Sequence, residues 1–401
     1  TGPAAREVFS LSSDGLGNRI IGTSYNCSGG TTPWGTILSA EENFQTAVQE
    51  DVLPNGTQTG YIEETVGAVF GLVGEKYGWM VEIDPTNSDF RPQKHTALGR
   101  FRHENIAFRV NPGSPLVAYM GDDRRGGHTY KYVSKAKVQN PADKNNHLLF
   151  HEGTLYVARF NRDKTGEWIP LLLTTPTNPN VPREIAEAEL NTIGTAQRSG
   201  LVRLPKRKGI AGQTEDGGSF ILDVANQDAA LADYRNKTLA DFYPTQGALL
   251  ADAYLAANLV GGTPTARPED LEVKPDTGEV LVAYTDGAPS SDGYPDSRIF
   301  IVAKYFDSID AIQHFGGLYK ITESSPEGSG TAFRWERFAQ GGEAGVSEGA
   351  GFAAVDNLAF DSVSTVVFQD VVHPLSSVTS TLYSPAVRSV WSFVVELLDQ
   401  L

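Results

Sequence analysis

Apolar residues come in short runs that alternate with polar ones, and turn residues cut the runs at close intervals. A period of two predicts half-buried strands rather than long helices. Before residue 26 the pattern predicts two short strands, Glu7–Leu11 and Arg19–Ser24, around the turn Ser13-Asp14-Gly15-Leu16-Gly17-Asn18. Tyr77–Pro85 alternates in the same way, whereas residues 45–75 are polar and Gly-rich and read as an excursion from the core.

A weak internal repeat organises the rest. His103-Glu104-Asn105-Ile106-Ala107-Phe108 is followed by Pro115–Asp123 and then by His128–Ser134. The phrasing returns at Pro268-Glu269-Asp270-Leu271, followed by Gly278–Gly287, Arg298–Tyr305 and Gly317–Thr322, and a third copy opens at Asp356-Asn357-Leu358-Ala359-Phe360-Asp361. Thr36–Asn43 parallels Val117–Asp123 and Leu281–Asp286, each an apolar strand ending in acid. Repeated strand, turn, strand and loop units predict a mainly β fold, an incomplete β-propeller. The innermost strand of each blade faces the axis, so Glu104, Glu269 and Asp356 are expected to converge at one end of the channel. Converging carboxylates repel by roughly 4 kcal/mol per pair at ~4 Å and an effective dielectric of about 20. Such a group persists when cations neutralise it.

Two segments depart from this rhythm. Between 183 and 260, Glu184–Leu190, Gln227–Tyr234 and Gln246–Val260 carry helical spacing, which predicts a helical insertion. Inside it the basic run Arg203–Lys208 reads as a solvated loop. Residues 362–401 hold no glycine, and no acid-ended second strand follows Asp361. The expected organisation is therefore a propeller domain over 1–361 and an atypical tail over 362–401.

Composition narrows the function. A net charge of −16 over 401 residues argues against a nucleic-acid surface and suits a protein that holds cations. One cysteine excludes an intrachain disulfide framework and four-thiolate zinc sites. No apolar run has membrane-spanning length, and a chain starting Thr1-Gly2-Pro3 without methionine reads as cut at its start. The single Cys27 lies in what reads as a Gly-rich turn, shortly before Glu41-Glu42-Asn43. A soft thiolate near several hard oxygen ligands points to a mixed metal site.

With these motifs assembled, the chain resembles the PhoX-type alkaline phosphatases, calcium- and iron-dependent propeller enzymes of bacteria. The resemblance rests on Asn26-Cys27-Ser28-Gly29-Gly30, Thr32-Pro33-Trp34-Gly35-Thr36, Glu41-Glu42-Asn43, His95–Glu104, Tyr119–Asp123 with Tyr130–Ser134, Arg267-Pro268-Glu269-Asp270 and Asp356–Asp361. It covers Thr1 to Asp361. It implies hydrolysis of small phosphate monoesters at a cluster of Fe3+ and Ca2+ bridged by an oxo group, with a metal-activated oxygen as nucleophile. Carried over, Cys27 resembles the iron thiolate ligand, and Glu42, Asn43, Glu104, Glu269 and Asp356 the other metal ligands. Arg267 resembles the side chain that grips the phosphate, and Arg267, Glu269 and Glu104 the catalytic set. A periplasmic or extracellular monomer is the further expectation. Two other readings stay open on the residues alone: a calcium-dependent propeller lactonase or phosphotriesterase, and a non-catalytic propeller.

Overall fold

The computed structural model describes residues 1–187, 200–287, 289–300, 304–305, 312–313, 316–342, 349–360 and 366–370. The mainly β architecture expected from the repeat is what forms. The first antiparallel sheet runs β1 (Asn26–Thr31), β2 (Ile37–Glu41), β3 (Met80–Ile83) and β4 (Gln93–Lys94) in that order. The second is β5 (His103–Arg109), β6 (Pro115–Asp122), β7 (Thr129–Lys137), β8 (Gly153–Phe160) and β9 (Thr165–Pro170). A hairpin, β10 (Val202–Pro205) and β11 (Ser219–Leu222), lies in the helical region. The third sheet follows, with β12 (Pro268–Val273), β13 (Val280–Tyr284), a short β14 (Lys304–Tyr305) and β15 (Ile312–Gln313) pair, β16 (Gly317–Glu323) and β17 (Ala332–Gln340). A last pair is β18 (Val355–Phe360) and β19 (Val366–Asp370).

The outer strands β9 and β17 pair, which joins the second and third blades into one nine-stranded sheet. The inner strands β1, β5, β12 and β18 pack side by side in that order. The sequence of β6 explains its place. Leu116, Ala118 and Met120 enter the core shared with the first blade and the helices, while Val117 and Tyr119 enter the core shared with the third blade. β13 divides likewise: Val280, Val282 and Tyr284 face the second blade, Leu281 and Ala283 the fourth. Strands buried on both faces read as continuous apolar runs. By contrast, the alternating Phe333 and Trp335 of β17 leave the other face in water.

Several expectations change. Pro3–Glu7 is helical and Phe9–Leu11 a single 3₁₀ turn, where a strand was expected over Glu7–Leu11. Pro3 suits the first helical position, and Ala4, Val8 and Phe9 pack on Trp79, so a short apolar stretch is spent on a helical contact. Arg19–Ser24 forms no regular strand. Cys27 is in strand β1, not in a turn. Gln227–Tyr234 is helical as expected, but Gln246–Val260 splits at Asp252, whose carboxylate accepts from the Tyr243 hydroxyl at 2.8 Å. Of Glu184–Leu190, only the first residues belong to a helix, Pro182–Ile185, and residues 188–199 lie outside the described ones. Within Arg298–Tyr305, Arg298–Phe300 lie in a turn, Lys304–Tyr305 form a short ladder strand, and residues 301–303 lie outside the described ones. The basic run is no solvated loop: Val202–Pro205 is β10, and Arg207 is buried, stacked on Tyr243 and bonded to the Phe242 carbonyl. An acid-ended second strand does follow Asp361, namely β19, which closes on Asp370. Beyond it, residues 371–401 lie outside the described ones.

Gly30 sets the distance between the first two inner strands. A Cβ there would overlap the Ile106 carbonyl of β5. Gly30→Ala is therefore expected to cost about 1–3 kcal/mol through a forced separation of β1 and β5. A urea unfolding midpoint equal to that of the parent protein would contradict this close approach.

Candidate metal centre

All four inner strands begin in one way. Asn26 pairs with Glu41 and Gly29 with Ser39, so three steps on β1 face two on β2. The same mismatch recurs between His103/Ile106 and Asp122/Met120, Pro268/Leu271 and Tyr284/Val282, and Val355/Leu358 and Asp370/Phe368. Each is a bulge carrying one extra residue on the inner strand, which kinks the strand and re-aims its side chains. The first bulged residues are Cys27, Glu104, Glu269 and Asp356. Two positions earlier stand Tyr25, Arg102, Arg267 and Ala354, and three of these take the left-handed conformation, with φ of 50° at Tyr25, 60° at Arg267 and 49° at Ala354.

The second strands contribute through their ends. The Glu42, Asp123 and Thr285 N–H groups donate to the Tyr25, Arg102 and Arg267 carbonyls at 3.0, 2.9 and 3.0 Å. Those bonds place Glu42 and Asp123 at equivalent positions. Adjacent strand residues face opposite ways, so one acid of each pair enters the centre and the other supports it from behind. Glu41 is fully buried and takes Lys94 Nζ at 2.7 Å and the Ser24, Gly78 and Trp79 N–H groups at 2.8 to 3.0 Å. Asp122 is held by the Arg102 N–H at 3.1 Å and by Arg124 Nε at 3.2 Å.

Ligand atoms of Cys27, Glu42 and Glu104 lie within 4.8 Å of one another, and so do those of Glu104, Asp123 and Glu269. Glu104 belongs to both groups. The Cys27 thiol donates to Glu104 Oε1 at 2.9 Å. Arg267 grips Asp123 with two parallel bonds, Nε to Oδ1 at 2.8 Å and Nη2 to Oδ2 at 2.7 Å, and its Nη2 also lies 2.7 Å from Glu269 Oε1. Asp356 is half-buried and interacts electrostatically with Asp123, Arg267, Glu104 and Glu269. Asn43 stands at the edge: it bonds to Glu42, and its own oxygen accepts from Gln45 Nε2 at 2.9 Å.

The electrostatics follow from burial and like charge. Glu104 is pushed up to about 8, by burial first and then by Asp123, Glu42 and Asp356, against the hydrogen bond from Cys27. Glu42 rises to about 7, chiefly through burial and the neighbouring Asp123 carboxylate. Glu269 and Asp356 also shift upward, burial being the largest cause for each. Burial and the Glu104, Glu42 and Glu269 carboxylates drive the Cys27 thiol far up, although Cys27 is the exposed member of the set. Burial opposes charge on Arg267, but Asp123 and Glu269 outweigh it and hold the guanidinium firmly protonated. A cluster in which Cys27, Glu42, Glu104, Glu269 and Asp356 are all driven toward their neutral forms has the donor set and the charge deficit of a cation site. One half offers a thiolate with carboxylates, the other oxygen alone.

Of the residues singled out in the sequence, Cys27, Glu42, Glu104 and Glu269 share the two close groups. Arg267 bonds to the second group, Asp356 flanks it, and Asn43 is beside Glu42. Asp123 was missed. The alignment of Val117–Asp123 with Thr36–Asn43 held the signal, because carrying Glu42 across that parallel lands on Asp123.

Cation uptake requires carboxylates, so it displaces the protons held by Glu42 and Glu104. Apparent affinity should therefore rise with pH through about 7 to 8 and fall on acidification, with proton release measurable by calorimetry in buffers of different ionisation heat. Without cations, carboxyl groups raised in the folded state stabilise it below their folded values and lose that contribution as pH rises through them. Chelator-treated protein should accordingly lose thermal stability from pH 5 to 8, and added cation should restore it. A chelated protein whose melting temperature climbs over that interval would contradict the crowding described here.

No curated protein matches the chain. Among solved structures, Pseudomonas fluorescens PhoX in complex with vanadate, a transition state analogue, is similar at 25% identity with a TM-score of 0.60. The similarity covers 92% of this chain and 59% of that one, so the chain spans well under two thirds of its relative's length. A family model described as Alkaline phosphatase PhoX matches residues 1–373, which carries the likeness past Asp361 and through β19. On that match the chain belongs to the PhoX alkaline phosphatase family.

Proposed function

We propose that the protein hydrolyses phosphate monoesters and releases inorganic phosphate, with Cys27, Glu42, Asn43, Glu104, Asp123, Glu269 and Asp356 as the metal-holding set. The observation that carries this reading is Arg267. Its guanidinium is clamped edge-on by Asp123 within reach of a cluster that calls for cations. Arginine in such a hold is a planar, permanently charged donor; with Nε and Nη2 on Asp123 and Glu269, Nη1 is the nitrogen left to reach a phosphate oxygen. The relative crystallised with vanadate belongs to the same family and supports a phosphoryl-transfer reading.

The donor set favours iron beside the Cys27 thiolate and calcium among the carboxylates. Bound cations would supply positive charge to the phosphate oxygens and the leaving group. The chain's own residues do the rest. Glu104 belongs to both donor groups and fixes their separation. Asp123 orients Arg267 before substrate arrives, which reduces the ordering left for the reaction itself. Glu269, beside the same guanidinium nitrogen, holds the phosphate-binding end close to the cation-binding end. Membership of the family supports a periplasmic or extracellular location, and a monomer is proposed with it. Among the described residues no helix is long and apolar enough to cross a membrane.

Protein produced with both metals should contain iron and calcium by elemental analysis and cleave aryl phosphates. Cys27→Ala and Glu269→Ala are expected to lose metal and turnover together. Arg267→Lys should keep its metals yet lose about 100-fold in kcat/KM, since an ammonium keeps the charge but not the fork. Calcium without iron, joined to lactone cleavage, would replace this reading with the calcium-dependent hydrolase. Absence of both metal and turnover would leave a non-catalytic propeller.

A further inference from the structure

The residues after two of the central acids, Glu104 and Glu269, reach sideways to the next inner strand. Asn105 follows Glu104; its Nδ2 donates to the Leu271 carbonyl at 2.9 Å and to Asp270 Oδ1, and its Oδ1 accepts from the Leu271 N–H at 3.0 Å. Asp270 follows Glu269, and its Oδ2 accepts from the Leu358 N–H at 2.8 Å. Leu271 and Leu358 stand two positions after Glu269 and Asp356. Both contacts thus run from the position after one central acid to the second position after the next. Asn105 is 3% exposed and Asp270 7%. Neither belongs to the close groups of candidate ligands.

The bulge makes such a contact necessary. It takes Glu104, Asn105, Glu269 and Asp270 out of their own blades' ladders, so those ladders do not fix how far apart the inner strands stand. The central carboxylates push one another apart over the same gap. An asparagine amide presents one donor face and one acceptor to a backbone N–H and C=O, as a paired strand does. An aspartate serves where the neighbour offers an N–H alone. We infer that Asn105 and Asp270 are positioning residues that set the spacing of Glu104, Glu269 and Asp356. They act through the strand beside them and not by touching cation or substrate.

The inference rests on the cation reading of the cluster and not on the phosphatase chemistry, so calcium binding tests it directly. Calorimetric titration with Ca2+ compares the parent protein, Asn105→Asp, Asp270→Asn and the double exchange. Asn105→Asp removes the donor and sets two carboxylates face to face; Asp270→Asn keeps size and acceptor. In the double exchange the new amide can donate to the new carboxylate, restoring the link with reversed polarity. Asn105→Asp should weaken calcium binding about 10- to 100-fold, and the double exchange should recover at least about tenfold, a non-additivity expected of paired groups. Unchanged affinity in both single variants overturns the inference. So does a double exchange that regains the parent's chelated melting temperature without regaining affinity, since that marks a merely structural bond. If Asn105→Asp does not fold, Asp270→Ala, which removes the acceptor for the Leu358 N–H, carries the same comparison across Glu269 and Asp356, with unchanged affinity overturning it. A parent protein that takes up no Ca2+ defeats the cluster reading itself, a result distinct from any failure of phosphate-ester turnover.

Discussion

Mutual repulsion among buried acids is the constraint on which the centre depends. Glu42, Glu104, Asp123 and Glu269 are each less than a tenth exposed, and among the described residues Arg267 alone forms ion pairs with them. Its charge is spent mainly on Asp123 and Glu269. Without cations the remaining groups hold protons instead, at values shifted toward neutrality. An ordinary protein surface would relieve that crowding by letting side chains swing into water. Here the acids sit on packed inner strands with apolar cores on either side, so relief has to come from bound charge.

The fold meets the constraint by repeating one local device. Each inner strand enters through the residue two positions ahead, bulges at the central residue, and resumes its ladder at the third position. A bulge costs backbone pairing but lets two consecutive side chains serve different purposes. One goes to the centre and, after Glu104 and Glu269, the next goes to the neighbouring blade. The second strands divide labour in the same manner. Glu42 and Asp123 face inward while Glu41 and Asp122 tie down Lys94 and Arg124 behind them. Central strands β6 and β13 then hold the arrangement between two cores each, which explains their unbroken apolar sequences.

Much of this was legible in the sequence because repetition is a pattern and the central acids recur at one phase of it. Glu104, Glu269 and Asp356 could be aligned by their following residues. Cys27 could not, since Ser28-Gly29-Gly30 resembles a turn and only the pairing of Asn26 with Glu41 puts it in phase. The glycines that suggested a turn are there because β1 lies close to its neighbours, Gly29 against the Leu38 carbonyl and Gly30 against the Ile106 carbonyl. Asp123 escaped notice beside Asp122, since two adjacent acids do not announce which one turns inward. Local propensity misled at Glu7–Leu11, where Ala4, Val8 and Phe9 serve a helical contact with Trp79. It misled again at Asp252, where the break is made by a tertiary bond to Tyr243.

Two arginines at the same phase show how finely backbone conformation decides where a side chain goes. Arg102 and Arg267 both stand two positions before a central glutamate. Arg102 pairs with Glu50 at 2.9 Å and with Asp292 at 3.1 Å, away from the centre. Arg267 instead binds Asp123 and Glu269 within it. The difference is not in the side chain. Arg267 is in the left-handed region at φ 60°, immediately before a proline, whereas Arg102 is not among the residues with positive φ. Such a conformation costs a non-glycine residue on the order of 1–3 kcal/mol. The two bonds to Asp123, the link to Glu269 and the backbone bond from the Thr285 N–H to the Arg267 carbonyl offset that cost. Strain at one residue thus directs a guanidinium inward in the third blade. The unstrained equivalent in the second blade leaves its arginine to hold the loop around Glu50.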